Sequence, residues 1–184
     1  MSTLRLSIGV IGTIAVALAA LNAKTASAFE RRDVIKELGG KAVSCSDAYG
    51  RHVHAVLVTN LGDVGRARQM QRTPIIMMDP HYLNPLPSKL QLFFFGHECA
   101  HHVLGHVYVV TPTSEMEADC WAAKDGRDRG LFTRDDVQSW GPWFAKSRGS
   151  KEFGHLPGPE RAAYLLTCFD EKSGDDAKTV TARE

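Results

Sequence analysis

Four histidines, a glutamate and a cysteine fall within the eleven residues Gly96–His106, GHECAHHVLGH. On a helix, His97 and His101 are four apart and project from one face, so both imidazoles can reach one ion. Glu98 follows His97 and stands beside such an ion without having to bind it. This is the H-E-x-x-H arrangement, two zinc ligands plus a general base. The plain alternative is a metal-free helix that is rich in histidine, and the spacing alone has false positives. Phe93, Phe94 and Phe95 supply an apolar surface that would bury the helix and keep the site partly dry.

A catalytic zinc takes three protein ligands and one water, so a third ligand must come from elsewhere. The seventh and tenth positions after His97 hold Leu104 and Val107, which excludes a glycine-and-histidine continuation of the same segment. The next helical segment offers Ser114-Glu115-Met116-Glu117-Ala118-Asp119. Glu115 and Asp119 share a face. Glu115 can ligate the metal, while Asp119 accepts the free ring N–H of a bound histidine, with His97 the expected partner. Glu117 competes for the ligand role, but it lies on a different face, and Ser114 with Glu117 reads as a capping box. Glu115 is preferred.

Elements must position these groups. A short helix is expected from Glu30 to Leu38, ending at Gly39-Gly40. The Val-rich alternation His52–Thr59 reads as a strand and Asn60–Asp63 as a turn. Thr73–Met78 is a second strand, and its Pro74–Met78 portion could present an edge to an extended substrate. Pro80–Pro87 is a loop, and Ser88 caps a helix running through the histidine segment to Gly105. A helix from Ser114 to about Lys124 is expected to stop at Gly126. Thr133 opens a further helix that Gly141-Pro142 breaks, and the last helix runs from Pro159 to about Phe169. Trp140 and Trp143 read as core packing, with a substrate-facing role open for Trp143. His102 reads as a packing or surface residue, and His106 as a poor replacement for Glu115. No repeat is present, and the pattern is helix-rich α+β with a small sheet.

The 184 residues suit one domain and one core. Arg5, the apolar run Ile8–Leu21 and Ala26-Ser27-Ala28 before Phe29 read as a secretory signal peptide over residues 1–28. The run falls short of the roughly 18 to 20 residues a spanning helix needs. The domain would then cover residues 29–170, with 171–184 a polar, disordered tail. Residues 1–28 hold Arg5 and Lys24 and no acid, so the formal charge of +1 becomes −1 without them. A near-neutral chain without a basic cluster gives no electrostatic reason to expect nucleic acid or an acidic membrane as partner. Export with an even cysteine count (Cys45, Cys99, Cys120 and Cys168) favours disulfides over metal ligation. Cys120 with Cys168 and Cys45 with Cys99 is the preferred pairing, and Cys99 with Cys120 stays open.

HECAH followed by EMEADCWAA resembles the gluzincin metallopeptidases of compact bacterial kind. It is similar to the HtpX- and CAAX-protease-like minigluzincins and the bacterial neutral zinc metallopeptidases, whose second motif reads E-x-x-A-D. The resemblance spans about Ile75 to Lys124. It implies a helix-rich α+β domain with an active-site helix, a glutamate helix and a small mixed β-sheet. It also implies a zinc endopeptidase acting on a peptide or protein, with His97, His101 and Glu115 as ligands, Glu98 as catalytic base and Asp119 behind the ligands. Only thirteen residues separate His101 from Glu115, so the connection between the motifs is short. Membrane-type relatives carry a His-Pro…Arg element further on. Here His155-Leu156-Pro157 and Arg161 echo it, so that His155 reads either as a donor to the oxyanion or as a plain loop histidine. Arg161 would be a structural or substrate anchor. The rival reading is an exported zinc-binding protein that is latent or non-catalytic, with Phe29–Tyr49 as an occluding segment.

Overall fold

A computed structural model describes residues 35–145, 147–149 and 154–172. The proposed signal segment and most of the polar tail lie outside the described residues. The first described segment departs from expectation. Glu37–Leu38 (β1) and Lys41–Ala42 (β2) form a small antiparallel hairpin. Gly39-Gly40, expected to end a helix, make its turn, both at positive φ. Two consecutive residues at positive φ suit a hairpin turn, which glycine adopts without a Cβ penalty.

The main sheet is mixed. His54–Leu57 (β3) pairs parallel with Thr73–Met78 (β5), and Gly65–Met70 (β4) pairs antiparallel with β5, in the order β3-β5-β4. The expectation that Pro74–Met78 offers an edge is therefore wrong. β5 is the central strand, and the edges are β3 and β4; β4 is a polar GRARQM segment with too little apolar alternation to read as a strand alone. Alternation along β5 serves two surfaces. Ile76 and Met78 join Ala55, Phe95 and Cys99 in one cluster, while Ile75 and Met77 join Val56 in another.

The predicted loop after β5 contains one helical turn, Pro80–Leu83 (α1), capped by the side chain of buried Asp79. Ser88–Val103 (α2) follows, and here Pro87 occupies the cap position and Ser88 is the first helical residue, without a side-chain cap. α2 is apolar on two sides. Leu90 and Phe93 pack with Trp140, Phe144 and Leu165, whereas Phe95 and Cys99 pack on the sheet. A helix apolar nearly all round belongs inside the domain, between two layers. One strip, bearing His97 and His101, is left to line a cleft.

Ser114–Asp128 (α3) packs on α2 through small residues, with Gly96 against Ala122. It runs straight through Gly126, the expected stop. A Cβ there would lie 1.8 Å from the ring of Phe132, so this glycine makes room for a neighbour rather than ending a helix. The anticipated Ser114–Glu117 capping box is also absent. Thr113 is the cap residue, without a side-chain cap bond, and Ser114 Oγ accepts from Thr111 N–H at 2.8 Å. Arg134–Ser139 (α4) has the full capping box, Thr133 with Asp136. Gly141–Phe144 (α5) and Gly158–Asp170 (α6) complete the helical layer. Trp140 is core, but Trp143 is half exposed and does not line the cleft, so neither expectation for it holds.

Two disulfides are formed, Cys45–Cys99 and Cys120–Cys168, the preferred pairing. Each closes a loop of about fifty residues, worth about 4 kcal/mol of lost unfolded-chain entropy in the loop-closure picture. The first ties the hairpin segment to α2, and the second ties α6 to α3. No helix among the described residues is long and apolar enough to cross a membrane.

Candidate metal centre

His97 and His101 stand on the same strip of α2, and α3 brings Glu115 over them from the opposite wall. Nε2 of His97 lies 3.2 Å from Nε2 of His101 and 3.1 Å from Oε2 of Glu115. Oε2 of Glu115 is 3.4 Å from Nε2 of His101. One ligand atom from each residue falls within 4.8 Å of the others, a group that could hold a metal ion. Glu98, Glu115 and Asp119 surround the group, with Arg161 and the His97 ring as the facing positive charges.

Behind His97 the structure places Asp119, with Oδ1 2.8 Å from Nδ1. The contact is close but lies off the ring N–H axis, and Nδ1 has no aligned hydrogen bond. Asp119 is buried and takes both hydrogen bonds of the Arg161 fork, from Nε at 2.7 Å and Nη2 at 2.6 Å. The guanidinium also lies over the rings of Phe94 and Phe144. Arg161 is thus a buried structural anchor. Burial disfavours the charged form of both partners. Their mutual attraction outweighs that cost, keeping the Asp119 carboxyl below and the Arg161 guanidinium above their ordinary ranges. For His97, burial pulls the pKa down, but Asp119 and then Glu115 hold the metal-free ring protonated, up to about 10.

Glu98 lies beside the ligand strip, 6 % exposed, facing β4. Burial raises its pKa to about 7; the charge of His97 opposes this, and the charges of Glu115 and Asp63 add to it. That is the range in which a carboxylate can take and return a proton near neutrality. Gly65 makes the placement possible, because a Cβ there would lie 2.7 Å from Cγ and 2.9 Å from Oε1 of Glu98.

The strip opens into a cleft of about 620 Å³. Residues 65–69 of β4 form one wall, and Val107 and Val110 contribute another. The hydroxyl of Tyr108 contacts Arg51 and Gln69, tying the segment after α2 to β4. His155 reaches the cleft, with Nε2 3.0 Å from Oε2 of Glu115 and its side chain 31 % exposed. Among the described residues of the supposed occluding segment, none of 35–49 lines this cleft.

Two histidines have positions the spacing did not reveal. His102 is fully buried, its Nε2 3.1 Å from the carbonyl of Ile75, which joins α2 to the sheet. His106 turns back toward the site, its Nδ1 3.2 Å from Nδ1 of His101 and its Nε2 3.1 Å from Oε2 of Glu117. The signal for His106 was the Gly105 before it, at φ +79, where the chain leaves the helix and reverses. Comparison with known protein families, curated proteins and solved structures finds no match to this chain.

Proposed function

We propose that this chain is an exported zinc metallopeptidase, with His97, His101 and Glu115 as metal ligands and Glu98 as the general base. The observation that carries the reading is the convergence of these three donors beside a buried glutamate on the wall of an open cleft. Tetrahedral zinc with ligand bonds of 2.0–2.1 Å places its donors about 3.3 Å apart. The three donor separations here are 3.1, 3.2 and 3.4 Å. Two nitrogens and one oxygen are also a donor set zinc accepts with a fourth position left for water. Export is supported by the two disulfides, which suit an oxidising compartment.

Zinc in this position would acidify a bound water and polarise a substrate carbonyl. Glu98, buried beside the three donors, is placed to take the proton of the attacking water and return it to the departing amine. His155 stands at the rim with its Nε2 on Oε2 of Glu115, and would donate to the oxygen that gains charge by exchanging that partner for the substrate. Asp119 stands against Nδ1 of His97 and is itself fixed by Arg161, which would orient the ring toward a metal. β4 is the edge strand that lies along the cleft, so an extended peptide can pair with its main chain. Such pairing selects unfolded or extended segments with little side-chain preference.

The test is metal analysis together with Glu98→Ala. Wild type and variant should each hold one equivalent of zinc, and only the wild type should cleave an unfolded protein, with turnover falling by at least about 100-fold. A wild type that holds zinc and cleaves nothing would favour the latent zinc-binding alternative. A variant as active as the wild type would remove Glu98 from the chemistry.

A further inference from the structure

The two histidines at the centre of the candidate site are backed by different chemistry. His97 has a carboxylate behind it, Asp119. Among the described residues, His101 instead has a second imidazole at its back. Nδ1 of His106 lies 3.2 Å from Nδ1 of His101, with the rings 5.3 Å apart and inclined at 67°. Nε2 of His106 reaches Oε2 of Glu117 at 3.1 Å, and the other Glu117 oxygen accepts from Thr113 Oγ1 at 2.5 Å. His106 is 6 % exposed, and both of its nitrogens have partners. A histidine that merely packs would not need this chain of contacts.

The chain of contacts has a direction. A metal at Nε2 of His101 leaves the ring proton on Nδ1, which must donate. Nδ1 of His106 is then the acceptor, so His106 carries its proton on Nε2 and donates to Glu117, which as a carboxylate can only accept. Each atom has one role and every role is filled. We propose that His106 and Glu117 are positioning residues that hold His101 in its metal-binding tautomer and fix its ring, a role that rests on the metal site proposed above. They act through His101 and touch neither substrate nor metal. Glu117, first legible as a helix cap, is here the end of an outer chain that matches Asp119 on the other histidine.

The experiment measures zinc affinity by chelator competition on the full chain. His106→Ala should weaken binding by about 10- to 100-fold, the usual effect of losing an outer partner. His106→Asn should recover most of it, because the Asn carbonyl can stand where Nδ1 accepts. Glu117→Ala, at a half-exposed side chain, should lose about tenfold or less in the same direction. On the zinc-loaded wild type, long-range proton–nitrogen correlation should find the ring proton of His106 on Nε2 and that of His101 on Nδ1. Wild-type affinity in His106→Ala, or His106 protonated on Nδ1, overturns the proposal. If His106→Ala fails to fold by circular dichroism, the tautomer measurement and Glu117→Ala decide. A wild type that binds zinc without cleaving peptides removes the peptidase reading and leaves this one standing, whereas a wild type that binds no metal overturns both.

Discussion

His97 and His101 are four residues apart on one helix, yet the regions behind them are built in opposite ways. Behind His97, a carboxylate and a guanidinium are sealed between α3 and α6, with two aromatic rings against the cation. Behind His101, a buried imidazole leads outward to a glutamate whose side chain is about half exposed. The first arrangement joins the site to the fold, because Asp119–Arg161 is also a contact between two helices. The second is local, contained in residues 101–117. One ring is therefore held by tertiary structure and the other by its own neighbourhood.

The strongest way to break this contrast is Arg161→Leu. Removing one partner leaves the Asp119 carboxylate buried without its fork of hydrogen bonds and with only the His97 ring beside it, and the expected loss is about 3 kcal/mol of stability. It would be read as a lowered denaturant midpoint at unchanged slope. The same measurement on Glu117→Ala should move by about 1 kcal/mol, the usual net worth of a hydrogen bond. Equal effects from the two variants would show that both outer regions are structural, and the contrast would fail.

A smaller effect tests the third side of the site. Gly65→Ala puts a methyl group against Glu98 and should displace the proposed base. We expect turnover to fall by about 10- to 100-fold, while zinc stoichiometry and both histidine environments stay as in the wild type. A full-rate Gly65→Ala would mean that β4 can yield, and that the position of Glu98 does not depend on a bare backbone there.

The smallest expected effect supplies a reference outside both regions. Burial tends to raise the pKa of Asp136, but Lys89 and the Thr133 cap prevail and lower it. A depressed folded pKa means stability that is present above the ordinary aspartate range and is lost as pH falls through the folded value. Asp136→Asn should thus cost under about 1 kcal/mol at neutral pH. The difference from wild type should shrink as pH drops below about 4. A gap that stays constant across that range would show that the carboxylate charge is not what matters at this cap.

Legibility in the sequence followed the range of each interaction. His97, Glu98 and His101 could be placed together because four residues on a helix fix a shared face whatever the rest of the chain does. Glu115 with Asp119 was readable for the same reason, and their meeting with the histidines required only that the two helices pack. The hairpin at Glu37–Ala42 was misread as helix end because Gly-Gly suits either, and pairing with a partner strand decided it. β4 was missed because its residues are polar and its pairing with β5 is a tertiary fact. Gly126 was misread as a stop because nothing local announces the ring of Phe132. Trp143 was misplaced because aromaticity alone does not say which side of a short helix faces inward.

By itself, then, the sequence determined a pair of imidazoles on one helical face, a glutamate beside them, and a second carboxylate pair at helical spacing. It also determined an even set of cysteines available for bridging. Those are consequences of a 3.6-residue period and of side-chain chemistry, which need no partner. Only the tertiary structure decided which strand is central, where the cleft opens, that Arg161 closes on Asp119, and that His106 returns to His101. Each of these depends on groups distant in the chain, or on a backbone reversal, meeting within hydrogen-bond distance, and such meetings are set by packing rather than by spacing.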